Sequence, residues 1–307
     1  MTAAIVGAGA IGGLIAGHLA RSGQETIVIA RGPHLAAMQS HGLTVRSAEG
    51  EFTTHPEATD DIGAVRRADV VFVTLKAHSI TAVAPALGAA LDPSATVVAA
   101  VNGIPWWYVV DGPLQSVDPG GVINRSIPRA QVVGCVVYPA ATVARPGVIE
   151  HAEGNRFSLG EPDGGASARV QGISAMLSQA GFKAPVQSRL RSEIWHKLLG
   201  NATLNPVSAL TRESLGRLLA DATGRELVRT LMEEVAAVAR SLEVELPFGI
   251  DKRIKDAAAV GEHKTSMLQD LEAGRPLEID ALLGAVIELA GTRSVSVPSL
   301  RVLYDLT

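Results

Sequence analysis

The stretch AAIVGAGAIGG, residues 3–13, constrains this chain more than any other. An apolar strand, Ala3 to Val6, runs directly into Gly7, Gly9 and Gly12. Apolar residues then recur at Leu14, Ile15 and Leu19 on a helix expected from about Ala10 to Arg21. Strand, tight turn and helix N-terminus, in that order, form the setting in which GxGxxG takes the pyrophosphate of a dinucleotide. Gly7 permits the turn, Gly9 admits a phosphate to the backbone, and Gly12 allows close helix–strand packing, with Ala8, Ala10 and Ile11 completing the turn. The free N–H groups and positive end of the helix favour the anion. A Rossmann-type domain with a parallel sheet is therefore expected at the start of the chain.

The second strand, ETIVIARG, bears on which dinucleotide. An NAD site carries Asp or Glu about 20 residues after the glycines to hold the ribose hydroxyls. This chain has Arg31, whose guanidinium suits a 2′-phosphate, so NADP(H) is the expected cofactor. ADVVFVTLKAHS (68–79) is a later strand ending at Lys76, and ATVVAAVNG (95–103) ends at Asn102-Gly103. Both tips lie at the carboxyl edge, where ligands of such sheets bind. From Val132 the pattern suggests antiparallel strands, with Pro146-Gly147 as a turn, then a helix near Ala168 to Ala180 and a short strand FKAPVQS. The boundary of this domain is expected near Ser188, giving domains 1–188 and 189–307.

With 307 residues, the chain accommodates two cores. Its 27 basic and 31 acidic side chains give a net charge of −4 without a basic block, which argues against a nucleic-acid partner. No apolar run reaches the ~20 residues that span a bilayer, and the apolar N-terminus lacks the basic region of a signal peptide. A cytoplasmic location without membrane association is expected. Cys135 is the only cysteine and reads as buried filler, and the 8 histidines include no HxH or HxxxH pair, so no metal is expected.

From Arg189 onward the periodicity is helical, with a long amphipathic helix over 225–244. Within WHKLLGNATLNP (195–206), Lys197, Asn201 and Asn205 recur at four-residue steps. Each step drifts about 40° around a helix, so the three form one slowly turning stripe. Asparagine costs roughly 0.5 kcal/mol relative to Ala in a helix, so a plain solvated face is a poor explanation. Pro206 is expected to end or kink this helix at Asn205. Two more helices follow, broken at Ala273-Gly274. Pro276 and Glu278 are expected in the first turn of the second, where the dipole favours a carboxylate.

Together, GAGAIGG, Arg31, LKAHS, VNG, WHKLLGNATLNP and KTSMLQDLEAGRPLEID resemble the ketopantoate reductase family over essentially the whole chain. The resemblance implies an α/β Rossmann-type N-terminal domain and an all-α C-terminal domain, similar to 6-phosphogluconate dehydrogenase. It implies an enzyme that uses NADPH to reduce the C2 carbonyl of 2-dehydropantoate, a small-molecule 2-oxo acid, in pantothenate and coenzyme A biosynthesis. Lys197 would be the proton donor; an ordinary lysine is protonated at neutral pH and stabilises a developing alkoxide. The resemblance assigns Asn102, Asn201, Asn205 and Ser266 to substrate, with Ser266 on its carboxylate. It places Glu278 near the cofactor ribose and the lysine, as an orienting or proton-transfer group. Lys76, Asn102 and Ala140 join Gly7 to Gly12, Arg31 and Glu278 around the cofactor, and a homodimer is implied.

Two departures stand out. Asn102-Gly103 is followed by IPWWYVVDGPLQSVDPGG, whose aromatic residues are expected to reshape the space beside Asn102. The region after Asn205 has Ser214 and Leu215 where some members carry a further asparagine. These motivate one alternative, an NADPH-dependent reductase of another bulky or aromatic 2-oxo acid. The alternative from a different class is a noncatalytic NADP(H) sensor, which would have no use for a proton donor.

Overall fold

The computed structural model describes residues 1–307. The chain forms two compact units: Met1–Val101 with Val122–Leu190, and Asn102–Gly121 with Arg191–Thr307. The first is thus discontinuous. Residues 102–121, expected within a continuous 1–188 domain, pack with the helical unit instead.

The α/β unit contains strands β1 (Ala3–Val6), β2 (Thr26–Ile29), β3 (Leu43–Ser47), β4 (Gly50–Thr54), β5 (Glu57–Thr59), β6 (Val70–Val73), β7 (Thr96–Ala100), β8 (Val132–Val137), β9 (Ala140–Arg145), β10 (Val148–Glu153) and β11 (Phe157–Gly160). Its helices are α1 (Ala10–Arg21), α2 (Gly32–His41), α3 (Ala77–Ala90), α4 (Val122–Ser126) and α5 (Ala168–Gln179). The main sheet runs β11-β8-β7-β6-β1-β2-β5, parallel except for β11. β1 lies between β6 and β2, so the strand order reverses there, at the kind of switch point whose carboxyl edge binds ligands. The expected antiparallel strands pair as such, β9 with β10 around Pro146-Gly147 and β8 with β11, while the other edge of β8 joins the sheet by pairing parallel with β7. VVGCVV is buried along its whole length, as befits a strand covered on both faces. FKAPVQS forms two isolated bridges to the β11 region rather than a strand; Pro185 has no N–H to give a ladder.

A second sheet, β4-β3-β10-β9, packs against α1. A Cβ at Gly13 would meet Ile149 at 2.6 Å, and one at Gly17 would meet Val45 at 2.6 Å. These glycines, one turn apart, bring the sheet onto the helix backbone.

The helical unit contains α6 (Leu190–Asn201), α7 (Leu204–Thr211), α8 (Leu215–Ala220), α9 (Ala222–Ser241), α10 (Ile250–Ala259), α11 (Ser266–Glu272), α12 (Ala285–Thr292) and α13 (Pro298–Leu306). A π-helical turn, Asp280–Gly284, leads into α12. The long helix α9 buries Val228, Leu231, Met232, Val235, Ala236, Val238 and Ala239, the spacing expected of one apolar face. The Lys197–Asn201–Asn205 stripe is not one helix: α6 stops at Asn201 and α7 begins at Leu204. Pro206 cannot donate to the carbonyl four residues earlier, that of Ala202, so the interruption falls there rather than at Asn205. Thr203 closes the end of α6 by donating its hydroxyl to the Leu199 carbonyl at 2.8 Å. Pro276 and Glu278 also differ from expectation. Both precede the helical turn, and Glu278 contributes only its carbonyl, accepting from Leu282 N at 3.2 Å.

Candidate active site

In the α/β unit, Gly7 has φ +102°, a conformation that favours glycine. A Cβ on Gly12 would lie 2.0 Å from the Gly7 carbonyl oxygen and 2.4 Å from Thr74 Oγ1. That hydroxyl donates to the Gly7 carbonyl at 2.6 Å and ties the turn to the end of β6. Gly9 differs: a Cβ there would meet nothing within 4 Å. The fold does not need glycine at this position, so the residue keeps clear a space at the N-terminus of α1, whose cap Gly9 has no side chain to close it. Backbone, helix end and open space together fit a pyrophosphate. Ala8 is buried, and Ala10 and Ile11 are half-buried. Arg31 is exposed just beyond β2, and Lys76 is half-buried just beyond β6; these strands flank β1. Ala140 opens β9, the edge strand of the second sheet.

In the helical unit, three expected site residues meet. Lys197 Nζ donates to Asn102 Oδ1 at 2.7 Å, and Asn102 Nδ2 points to Glu278 Oε2 at a long 3.5 Å. Glu278 is buried at 8% exposure. The amide of Asn102 therefore turns its acceptor to a cation and its donor to a carboxylate, a polarity that fixes its orientation.

The neighbouring backbone explains how Asn102 arrives here. Gly103 has φ +80°, and a Cβ on it would lie 2.2 Å from the Ala281 carbonyl oxygen. Ile104 N then donates to that carbonyl at 2.8 Å. The π-turn thus receives the chain beside Asn102 at Ala281, three residues after Glu278. Asp280 of the same turn accepts from Tyr304 Oη at 2.5 Å, and this hydrogen bond raises the Tyr304 phenol to about 12.

The aromatic segment after Gly103 is interior. Trp106, Trp107 and Tyr108 are all buried, and Trp195 Nε1 donates to Tyr108 Oη at 2.7 Å. The Arg191 guanidinium stacks 4.3 Å from the Tyr108 ring and donates to its carbonyl at 2.8 Å. Burial pushes the Tyr108 phenol above the usual tyrosine range, against the opposing pull of Trp195 and Arg191. These rings anchor the segment to α6, the helix of Lys197. Farther along, Glu288 on α12 accepts from Gln115 N at 2.7 Å and from Ser116 N and Oγ at 2.9 and 2.7 Å, clasping the same segment.

The remaining expected residues are more dispersed. Asn201 ends α6 half-buried, Asn205 lies at 6% exposure in the first turn of α7, and Ser266 is exposed at the start of α11. Helices α7 and α11 pack together. Ser214 caps α8 through Arg217 N, and Leu215 is buried. Sequence reasoning missed the Trp195–Tyr108 pair and the Glu288 clasp. The NG dipeptide at 102–103 signals a turn, but nothing local signals these partners.

A parallel α/β unit with a phosphate-type glycine turn, and a helical unit holding a lysine by an amide that itself faces a carboxylate, define an oxidoreductase acting on a carbonyl or its alcohol. Residues 3–164 match the family described as Ketopantoate reductase PanE/ApbA, and residues 189–307 match its C-terminal part. A 2-dehydropantoate 2-reductase of Mesorhizobium japonicum is 48% identical over 301 residues, covering 94% of this chain and 91% of its own. One from Halobacterium salinarum is 30% identical, covering 100% and 97%. The solved structure of a PanE/ApbA family ketopantoate reductase from Ralstonia eutropha matches with TM-score 0.88 and 31% identity, covering 100% of this chain and 97% of the other. The chain belongs to the ketopantoate reductase family.

Proposed function

We propose that this protein reduces 2-dehydropantoate to pantoate with NADPH, a step of pantothenate and coenzyme A biosynthesis. The observation that carries the reading is the Lys197–Asn102–Glu278 array, with Nζ 2.7 Å from Asn102 Oδ1. The reduced nicotinamide, when bound, supplies hydride to C2. As the carbonyl becomes an alkoxide, Lys197 donates the proton, and its charge stabilises the oxygen before transfer. Asn102 holds the ammonium through a neutral acceptor, and Glu278 orients Asn102. Asn201 and Asn205 offer amides to the substrate oxygens, and Ser266 offers a hydroxyl to its carboxylate.

The Gly7–Gly12 turn, with Ala8, Ala10 and Ile11, would hold the pyrophosphate. Arg31 would take the 2′-phosphate, because no acidic residue follows β2 to accept ribose hydroxyls. Lys76 and Ala140 complete the cofactor set. The test is NADPH oxidation by purified protein with 2-dehydropantoate beside aromatic and straight-chain 2-oxo acids. A kcat/KM of ~10⁴ M⁻¹s⁻¹ or more for 2-dehydropantoate, well above the rest, is expected. Turnover of only an aromatic analogue would redirect the substrate assignment, and no turnover with retained NADPH binding would favour a sensor.

A further inference from the structure

His34, in the first turn of α2, meets two other parts of the α/β unit, and the function above makes no use of it. Its Nδ1 accepts from Gly147 N at 2.9 Å, in the turn between β9 and β10. That partner is firmly held. Gly147 has φ +78°, a Cβ on it would lie 3.1 Å from Ala37 Cβ one turn along α2, and its carbonyl accepts from Thr44 N at 2.9 Å. A ring nitrogen that accepts carries no proton, so the neutral imidazole bears its hydrogen on Nε2.

Nε2 is buried and has no hydrogen-bond partner. The Ala8 backbone acts on this ring and favours its N–H, but burial outweighs it and pushes the imidazole below the usual histidine range. At neutral pH the side chain is therefore an uncharged donor facing the Ala8 carbonyl without completing a hydrogen bond to it. A buried donor left open calls for a reason. Ala8 belongs to the turn that fits a pyrophosphate, and the carbonyl just before it, that of Gly7, is already held by Thr74 Oγ1 at 2.6 Å. The Ala8 carbonyl and the Gly9 N–H share one planar peptide and point to opposite sides of it. A donor on that carbonyl sets the N–H as well.

We propose that His34 is a positioning residue for the dinucleotide: its Nε2–H closes on the Ala8 carbonyl when the cofactor is bound and holds the Ala8–Gly9 peptide in the setting that receives the pyrophosphate. The inference rests on the cofactor reading above and is independent of the 2′-phosphate assigned to Arg31. Because the bond forms only in the loaded turn, it adds to cofactor affinity rather than to the stability of the free protein.

The experiment measures Kd for NADPH and for NADH by cofactor fluorescence, and the rise in melting temperature that each cofactor gives. It uses wild type, His34→Ala, His34→Gln and His34→Asn. The two amides separate the ring nitrogens: glutamine offers a donor where Nε2 was, and asparagine offers an acceptor where Nδ1 was. In His34→Ala, Kd for both cofactors is expected to rise about 3- to 10-fold, the range of one net hydrogen bond, and the cofactor-induced rise in melting temperature to shrink. Glutamine is expected to restore most of the affinity and asparagine little. Recovery in His34→Asn but not in His34→Gln would overturn the inference, since the Gly147 contact would then be the one that counts. An unchanged Kd in folded variants, with only the melting temperature of the free protein lowered, would overturn it too. If wild type binds NADH alone, the NADP(H) assignment falls while the same comparison of amides with NADH still decides the role of His34. A wild-type protein that binds neither cofactor would sink both.

Discussion

Asn102 presents an acceptor to Lys197 and a donor toward Glu278, and its amide does both as a neutral group. Replacing Asn102 by Ala is expected to lower kcat by about 10- to 100-fold, the range for a lost hydrogen bond to a charged group. KM for the 2-oxo acid should move much less, because Asn201, Asn205 and Ser266 remain. Lys197→Met should cost more, about 10²- to 10⁴-fold in kcat, the range of general acid catalysis. Titration of NADPH fluorescence should show its affinity unchanged in both variants; a parallel loss of cofactor binding would place Lys197 in a different role. At this scale the sequence was informative about Lys197, Asn201 and Asn205, whose spacing is local. The pairing of Lys197 with Asn102 spans 95 residues, and no helical or strand period reports a contact at that separation.

At the scale of elements, the π-turn links the separate parts of the helical unit's array. Its Ala281 carbonyl takes Ile104 N, its first residue takes the Tyr304 hydroxyl, and Glu278 lies two residues before it. Gly103→Ala would force a side chain into φ +80° and against the Ala281 oxygen. A loss of at least about 1–3 kcal/mol is expected, read as a lower denaturation midpoint together with reduced kcat. Tyr304 gives a pH-dependent handle. Its folded pKa of about 12 lies above the ordinary 10.0, so the protonated phenol stabilises the fold. That contribution is complete below about pH 10 and is lost as pH rises toward 12. Thermal melts at stepped pH should therefore show a wild-type advantage over Tyr304→Phe below pH 10 that disappears in this window. Strand β1 and helix α1 appear where the sequence puts them, because glycine punctuation is local. The π-turn, and the parallel pairing of β8, depend on partners far along the chain and left no periodic trace.

For the whole molecule, the helical unit is assembled from two stretches of chain, 102–121 and 191–307. Composition gives no hint of this, since the aromatic stretch after Asn102 reads as a loop embellishment. Its Ile104, Trp106, Trp107, Tyr108, Leu114 and Val117 are all buried. At about 1.5–3 kcal/mol for each large apolar side chain, six such residues contribute on the order of 10 kcal/mol. A domain's net stability is only about 5–15 kcal/mol. Even half of that burial is thus enough to decide whether the helical unit folds. The segment also supplies the acceptor for the Trp195 indole and both partners of the Glu288 carboxylate. A fragment of residues 189–307 alone is therefore expected to lack a cooperative melt and to bind a hydrophobic dye, despite containing α6 to α13. Joining residues 102–121 to its N-terminus through a flexible linker should restore near-ultraviolet circular dichroism from the packed tryptophans. A cooperative melt of the fragment without that segment would show that the aromatic stretch is dispensable to the unit's core. Asn102 would then owe its position to the Gly103–Ala281 approach alone.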